Sequence, residues 1–598
     1  MLTTTRAFSP PFPPILRAAP LAVVLALAAA TRAPLAAQRI AVAPEMQGTH
    51  TTGVARAAHT VGVTHAAQAT GIAHGTPVAH GMPSQRRMPR AQGVRPTRSA
   101  QATPAAFCGG AFPAEPLGTS PLLRRDHWAA RALERLNALG LAPDYQPAQR
   151  AVPRAEAALH LRAAVAAAEG RPALHRLALG WCERFVEEFP EVAFAGAEGS
   201  PTGAFEGSGA ALRYASHTGV ARPGIKRNGW DAMPSPDVVG PVLATTVRLT
   251  PSPRVGLLAE PRVDESGATF ERWAVAVPVG PFGVLGGRQP VAYGSAVSGA
   301  ITLAPPVPLT GVQVFALRPF RAPGFLRHLG TWSAHTFLSR LREPRHPGDP
   351  WLWGANLTWR PHARLTLSGN RVAIFGGDSV SAPMTPRTIL EMLWGDTKGD
   401  GLPSRLTNSF ENQSASVEVV FHPPTEAVLP LRLYVEAGME DIDVVRGLRD
   451  SPGFVAGVSV PAVPGLPSLE VGFERTNIAE TPPETHNGVW YQHFAHGGGW
   501  ALDEGPLGHP LGGHGWESMV FARADLLDAR LRVAARYFER KRGVQNLYAP
   551  ARQGRSTGFA FEALWRLRPR AELRVSGYRE AGGSWNEHRF ETGVSLRM

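Results

Sequence analysis

One stretch near the C-terminal end, residues 472–515, concentrates side chains that suit sugar binding. It begins G-F-E-R-T-N-I and contains W-Y-Q-H at 490–493, G-G-G-W at 497–500 and L-G-H-P-L-G-G-H-G at 507–515. Aromatic rings can stack on the C–H face of a pyranose, and histidine and asparagine can hydrogen-bond to hydroxyls. The stretch therefore predicts a strand that leads into a long, carbohydrate-binding loop.

Neighbouring carboxylates at 440–443 raise the alternative of glycoside hydrolysis, which uses a pair of acids. Glu440 and Asp441 are adjacent, and adjacent residues of a strand point to opposite faces. Only Asp441 and Asp443 could flank one glycosidic bond if the strand continues. We expect no catalysis, but an enzyme that processes surface glycans remains an alternative.

Metal ligands are the other chemistry to consider. His509, His514 and Glu517 could ligate zinc, but they lie among glycines and lack the spacing of a helical zinc motif. The run Gly395–Gly401 resembles a calcium loop in which Lys398 occupies a ligand position. We therefore expect no metal and no cofactor.

The elements that must position these residues follow a period of two from about residue 241 to 598. Apolar and polar residues alternate in seven stretches that predict strands: 355–368 (a hairpin), 414–421, 431–437, 468–474, 529–540, 557–568 and 571–576. In the hairpin, Leu357 and Trp359 face one way, and Leu365 and Leu367 return after Pro361. The pattern fits a mainly β domain, either a soluble sandwich or a transmembrane barrel.

Three observations favour a large transmembrane antiparallel β-barrel of about 16–18 strands. The chain looks exported, and strands such as 529–539 and 588–598 have the length that a tilted membrane strand needs. Their polar face is heavily charged, as in a wet lumen. It carries Arg530, Arg532, Arg536, Glu562, Arg566, Glu572, Arg574 and Glu591. The last strand presents Phe590, Thr592, Val594, Leu596 and Met598 on one face, as a final barrel strand would.

The N-terminal third divides into four predicted segments. Residues 1–37 form a secretory signal, since Arg17 precedes a short apolar run that ends in small residues. Residues 38–120 form a disordered low-complexity linker, residues 121–196 a small α-helical bundle, and residues 197–240 a Gly-rich linker. An exported chain also makes Cys108 and Cys182 a candidate disulfide.

The net charge is +13, and Lys226, Lys398 and Lys541 are the only lysines among 61 basic residues. Arginine forms planar, bidentate pairs with carboxylates and phosphates. The excess suits an anionic polysaccharide or anionic lipid, and export disfavours nucleic acid. A GC-rich genome would give the same composition.

Five segments in order resemble the Wzi family of capsule assembly proteins, which are outer-membrane β-barrels with a helical bundle. They are Gly286–Gly294 with Ser298–Leu303, where Tyr293 replaces the usual Trp; Pro323–Gly330; Asn370–Asp378; Leu433–Tyr434 through Glu440–Asp441; and Glu474 through Trp490, Tyr491, His493 and Leu507–His509. The N-terminal helices match the layout, but they also resemble S-layer homology helices, which bind cell-wall polymers.

The resemblance implies a non-enzymatic protein of the bacterial outer membrane that binds exported or capsular polysaccharide and helps to anchor it. Outer-membrane lipid would surround the barrel. The candidate binding residues are Arg288, Tyr293, Arg327, Arg371, Asp378, Glu440, Asp441, Glu474, Trp490, Tyr491, His493, Trp500 and His509. A diffusion channel is the main alternative, because the predicted lumen is charged. The aromatic residues could equally form interfacial girdles, and the charged ones lumen salt bridges.

Overall fold

The computed structural model of the chain describes most residues from 103 to 596. The described ranges are 103–110, 120–123, 127–148, 152–193, 203–218, 240–252, 254–264, 267–305, 308–342, 345–378, 411–426, 428–440, 453–478, 490–492, 496–502 and 505–596. The predicted signal, most of the predicted linker 38–120, the 395–401 loop, Asp441, Asp443 and His493 lie outside them.

Five helices precede the first strand: α1 (Pro104–Cys108), α2 (Trp128–Ala138), α3 (Arg154–Ala167), α4 (Pro172–Glu188) and α5 (Pro190–Ala193). Proline begins α1, α4 and α5, where its missing N–H costs no helical hydrogen bond. The helices share a core that includes Leu133, Leu136, Leu161, Trp181 and Phe185. None of the helices in the described part of the chain is long and apolar enough to cross a membrane.

Helix α1 corrects the predicted start of the helical region. Residues 104–108 were expected to be disordered, yet Phe107 and Cys108 are buried in the helical core. Cys108 forms a disulfide with Cys182 of α4, with 6.0 Å between the Cα atoms. One aromatic ring and one disulfide are sufficient to attach a segment that is otherwise low in apolar residues.

Eighteen strands of the described chain form one closed antiparallel sheet. They are β1 (Gly203–Thr218), β2 (Gly240–Ser252), β3 (Val255–Asp264), β4 (Gly267–Val279), β5 (Phe282–Gln289), β6 (Leu309–Ala316), β7 (Thr331–Arg340), β8 (Trp351–His362), β9 (Leu365–Phe375), β10 (Glu411–Phe421), β11 (Arg432–Glu440), β12 (Gly453–Val460), β13 (Leu469–Ile478), β16 (Gly515–Leu526), β17 (Leu531–Arg542), β18 (Gly554–Arg568), β19 (Ala571–Gly582) and β20 (Asn586–Leu596). Two short strands, β14 (Ala501–Leu502) and β15 (Gly505–Pro506), pair separately. Each barrel strand pairs with its neighbours in sequence, and β20 returns to pair with β1. The predicted barrel is confirmed, with 18 strands.

Strand β1 overturns the predicted linker at 197–240. The sequence G-A-F-E-G-S-G-A-A-L-R-Y-A-S-H-T has so many glycines and alanines that its alternation is faint. In the barrel, Leu212 and Tyr214 are exposed on the outward face, as membrane-facing side chains of a strand should be. Pairing with both β2 and β20 fixes this strand, and that long-range contact is invisible to a local pattern.

The barrel wall alternates as predicted, with apolar residues outside and polar residues inside. On β20, Phe590, Val594 and Leu596 are exposed, whereas Glu587 and Arg589 are buried. On β17, Tyr537 is exposed on the outside. A transmembrane barrel in lipid shows this distribution, because the hydrocarbon solvates the outward side chains.

The two ends of the barrel differ in their connections. Short turns at 253–254, 280–281, 363–364, 527–530 and 569–570 lie at one end, which we call the short-turn end. The strands β1, β5, β9 and β13, after which the longer connections of the chain begin, end at the other end of the barrel, which we call the long-loop end. The helices α1–α5, which we call the helical plug, contact the wall at the short-turn end.

Candidate functional site

The first half of the candidate site is the connection 290–308, which turns back into the barrel. Carboxylates that point inward from the wall accept hydrogen bonds from its backbone. Glu418 of β10 accepts the Ser295 N–H at 2.7 Å, and Glu436 of β11 accepts the Ile301 N–H at 3.1 Å. An ionised carboxylate accepts several such bonds, and charge assistance makes each one strong. The loop is therefore held from three wall strands, β10, β11 and β13, because β13 contributes the next acid.

Glu474 of β13 is the third of these acids. Its carboxylate accepts the Ser298 N–H at 2.7 Å and also the Val297 N–H, and the Tyr434 hydroxyl donates to it. Glu474 is 1% exposed. This predicted sugar ligand is thus fully engaged in positioning the loop.

The second half of the site is the described part of 490–514, which packs on the first loop. The Tyr491 hydroxyl donates to the Ile301 carbonyl at 2.5 Å, and Trp500 Nε1 donates to the Thr302 carbonyl at 2.9 Å. His509 Nε2 lies 2.9 Å from Ser298 Oγ, and its backbone N–H donates to the Tyr491 hydroxyl at 2.8 Å. We call the two connections together the loop plug.

The close approach of the two connections requires a glycine at 508. A Cβ atom built there would lie 2.2 Å from the Ile301 carbonyl oxygen and 2.3 Å from the Tyr491 hydroxyl oxygen. Burial raises the pKa of the Tyr491 hydroxyl, so the ring stays neutral and continues to donate. Glu440, at the end of β11, accepts the Tyr491 N–H at 2.8 Å.

Six of the thirteen predicted polysaccharide ligands are therefore buried in the loop plug or in the wall beside it. Each is at most 2% exposed: Tyr293, Glu474, Trp490, Tyr491, Trp500 and His509. Tyr293 donates or accepts a hydrogen bond with His335 Nδ1 at 2.8 Å inside the wall. A ring without an exposed face cannot stack on a sugar, so in this structure these side chains support the loop.

The remaining predicted residues are dispersed. Arg288 lies opposite Trp273 on the outward face, and Arg371, also outward, places Nε 3.0 Å from Gln413 Oε1. Arg327 is exposed between β6 and β7 at the short-turn end. Asp378 is exposed at the long-loop end, where its backbone pairs with Gly348. The candidates thus occupy both faces and both ends of the barrel.

Sequence reasoning missed Glu418 and Glu436, the two other acids that hold the loop. A signal for them exists, because each lies on the same parity as the inward polar residues of its strand. Glu418 follows Ser414 and Ser416, and Glu436 follows Arg432 and Tyr434. The same parity argument would have placed Arg371 with Leu365 and Leu367 on the outward face.

A buried ion-pair network also lies at the long-loop end, inside the wall. Arg540 contacts Glu517 and lies 3.1 Å from Glu580, and Arg542 lies 2.7 Å from Glu580. Arg552 pairs with Glu587 at 2.6 Å. Glu517 is therefore committed to arginine, and the residues that the structure describes contain no cluster of His, Cys, Asp or Glu able to hold a metal ion.

The helical plug closes the opposite end through arginines. Arg135 of α2 donates to Asp525 at 3.0 Å and to the Ser468 carbonyl at 3.1 Å. Arg184 of α4 donates to the Ala529 carbonyl at 2.9 Å and to Glu572 at 2.6 Å. In the reverse direction, wall residue Arg532 donates to the Trp128 carbonyl at 2.7 Å.

The barrel is thus occupied from both ends, by the helical plug at one and by the loop plug at the other. The family model described as "Capsule assembly protein Wzi" matches residues 206–590, from β1 to β20. The chain belongs to the Wzi family. The family match and the apolar outward face of the closed barrel place this Wzi-family chain in the outer membrane.

The solved structure of Escherichia coli Wzi shares this fold. Wzi of Escherichia coli, described as an outer membrane protein involved in group 1 capsule assembly and as a carbohydrate-binding β-barrel, aligns with a TM-score of 0.62 and 16% identity over 80% of this chain and 100% of its own. Pseudomonas aeruginosa OccK10 aligns with a TM-score of 0.36 and 12% identity over 67% of this chain and 100% of its own. P. aeruginosa OpdQ aligns with a TM-score of 0.38 and 7% identity over 66% and 98%. A search of curated proteins found no match.

Proposed function

We propose that this Wzi-family barrel binds exported or capsular polysaccharide at its long-loop end and helps to anchor the polymer at the cell surface, without catalysing a reaction. The observation that carries the proposal is the family match over residues 206–590. E. coli Wzi, the relative with the same fold, is described as carbohydrate-binding and involved in capsule assembly.

The geometry supports a surface site. The helical plug fills the short-turn end, and the loop plug fills the long-loop end. In bacterial barrels the short turns face the periplasm and the long loops face outward. A polymer arriving at the cell exterior would therefore meet the outer side of the loop plug and the long connections around it. The three wall acids hold that surface in place, because they fix the Ser295–Ile301 backbone.

The charge of the chain supports an anionic polymer. The net charge is +13, and arginine supplies nearly all of the positive charge. Guanidinium groups pair with uronic-acid carboxylates in a bidentate manner. Binding of an acidic polysaccharide should therefore weaken with added salt, whereas binding of a neutral one should not.

Polysaccharide binding can be tested with the purified full chain in detergent. The chain would be passed over immobilised acidic capsular polysaccharide, with dextran and an unrelated 18-stranded porin as controls. We expect retention on the capsular polymer and elution by the free polymer. If the protein is retained no better than the porin on every polymer tested, the proposal is wrong.

Two further measurements separate the alternatives. In planar bilayers a doubly plugged barrel should show no steady conductance, and a large constant pore would favour a channel instead. Incubated polysaccharide should keep its length, and cleavage that Asp441→Asn or Asp443→Asn abolishes would indicate a glycan-processing enzyme.

A further inference from the structure

The outward face of β13 and β16–β18 carries an unusual group of cations at the long-loop end. Trp516 of β16 lies opposite Lys541 of β17, which in turn lies opposite Arg555 of β18. The three residues therefore form one row across the wall. Arg475 lies in the next row, opposite Ser518. We call this surface the Trp516 patch. It also includes the acid Glu539 of β17, which lies opposite Ser518.

The indole ring organises these cations. The Arg475 guanidinium carbon lies 4.3 Å from the Trp516 ring centroid, and that of Arg555 lies 5.9 Å from it. Arg475 Nη1 donates to Ser518 Oγ at 2.6 Å, which fixes the side chain along the wall. Cation–π contacts of this kind hold arginine side chains in place without neutralising their charge. In the described part of the wall, three cations thus surround one acid.

The acid does not cancel the charge. Glu539 is 3.9 Å from Arg555, at the limit of an ion pair, and the two side chains are 42% and 74% exposed. An exposed pair at this distance contributes little attraction. The described residues of the patch therefore carry net positive charge on the outside of the barrel.

The row immediately toward the short-turn end is apolar. On β13 and β16–β18 it consists of Phe473, Val520, Tyr537 and Phe559, whose three aromatic side chains are exposed on the outward face, and on β19 it ends at Arg579. In the outer membrane this row contacts hydrocarbon. The Trp516 patch consequently lies where the hydrocarbon ends, at the level of the lipid headgroups of the outward-facing leaflet.

We propose that the Trp516 patch binds the phosphorylated headgroup of a lipid in the outward-facing leaflet, with the acyl chains against the Phe473–Phe559 row. Phosphate oxygens match arginine and lysine donors in charge and geometry. A soluble anion would use the cations but not the apolar row, and a lipid without phosphate would use the row but not the cations. This site is on the outside of the wall, so it does not depend on polysaccharide binding at the loop plug.

The test measures lipid binding to the full chain in dodecyl maltoside micelles. The probe is a fluorescent, acylated glucosamine disaccharide carrying two phosphates, and its phosphatase-treated form and inorganic phosphate are compared with it. The test variant is Arg475→Gln/Lys541→Gln/Arg555→Gln. The matched control, Arg364→Gln/Arg568→Gln/Arg570→Gln, removes the same charge at the short-turn end.

Each basic side chain at an anionic membrane surface contributes enough that loss of three should weaken binding on the order of 100-fold. We expect this loss in the test variant, a change below about twofold in the control, and weaker binding of the dephosphorylated lipid. Heat-modifiable migration on gels verifies that both variants retain the barrel. Equal binding by the test variant, equal binding of the dephosphorylated lipid, or full competition by inorganic phosphate at micromolar concentration would each overturn the proposal.

Discussion

The two plugs close the same barrel with opposite chemistry. The helical plug has its own hydrophobic core and a disulfide, and it reaches the wall with arginines such as Arg135 and Arg184. The loop plug has no core of its own, since Tyr293 and Ile301 pack with wall residues such as Val372. Its backbone N–H groups are held by wall carboxylates.

This difference follows from the backbone hydrogen bonds that each plug must form when it is buried in the barrel. Helices bond their own backbone internally, so only side chains need to reach the turn carbonyls and acids of the wall. An irregular loop inside a barrel has buried backbone groups that need partners, and inward-facing acids supply them. The helical plug is therefore an added domain, whereas the loop plug is part of the wall. The two plugs touch where the Gly294 N–H donates to the Ala148 carbonyl at 2.9 Å, but each should respond mainly to substitutions among its own contacts.

The largest effect should come from Arg135→Ala, at the contact of the helical plug with the wall. The change leaves Asp525 buried without its guanidinium partner and removes the donor to the Ser468 carbonyl. Breaking a buried pair in this way costs about 3–5 kcal/mol. Hydrogen exchange at amides 128–138 should accelerate, whereas exchange at 295–301 should not. The exposed Arg176→Ala on α4 is the control, and equal protection in both variants would contradict the prediction.

Removal of the disulfide should affect the helical plug almost as much. Cys108→Ser/Cys182→Ser frees a loop with a sequence separation of 74 residues. The chain-entropy cost is about 4 kcal/mol. Limited trypsinolysis should cut the helical region of the variant first and leave the barrel intact. If the loop plug becomes equally susceptible, the two closures are coupled and the comparison fails.

Glu474→Gln should open the loop plug by a smaller amount. The amide keeps one acceptor oxygen, but its NH₂ group faces donors from the backbone of Val297 or Ser298. The loss of charge-assisted bonds costs about 2–3 kcal/mol. Exchange of those two amides should accelerate, and polysaccharide binding should weaken with it. Glu539→Gln, on the exposed outward face, is the matched control and should change neither.

The smallest effect concerns pH at the short-turn end. Burial, together with Arg432, Arg360 and Arg364, lowers the pKa of His422 from 6.5 to about 3. Above pH 6.5 the His422 ring is neutral in the folded and the unfolded chain alike, so the free energy of unfolding is not reduced by its protonation. As the pH falls below 6.5, the unfolded chain binds the proton first, so stability decreases by about 1.4 kcal/mol per pH unit.

This pH response should appear in the turn that follows β10. The protection factors of the Val428 and Leu429 amides, which bond within that turn, should fall between pH 6.5 and 5.5 once the pH dependence of intrinsic exchange is divided out. The fall should be smaller in His422→Asn and unchanged in His328→Asn, whose ring is exposed. A response of the same size in all three proteins would show that His422 is not the cause.

The sequence by itself determined the barrel, the helical region and the family. Alternation over stretches such as 414–421 and 557–568 has one stable solution in lipid, with apolar side chains outside. The helices α3 and α4 follow from Pro153, Pro172 and the apolar spacing between them. The alternation of a strand would also have placed Arg371 outside and Glu436 inside. Once one residue of a strand is known to face outward, every second residue faces the same way.

Only the tertiary structure decided which residues of the loop-rich candidate site are accessible. Trp490, Tyr491, Trp500 and His509 have the composition of a sugar-binding loop and equally that of a packed one. Their burial depends on acids from β10, β11 and β13 meeting a loop that is more than 100 residues away in sequence. Such contacts exist only after the barrel closes, so no local pattern of residues 472–515 could have revealed them.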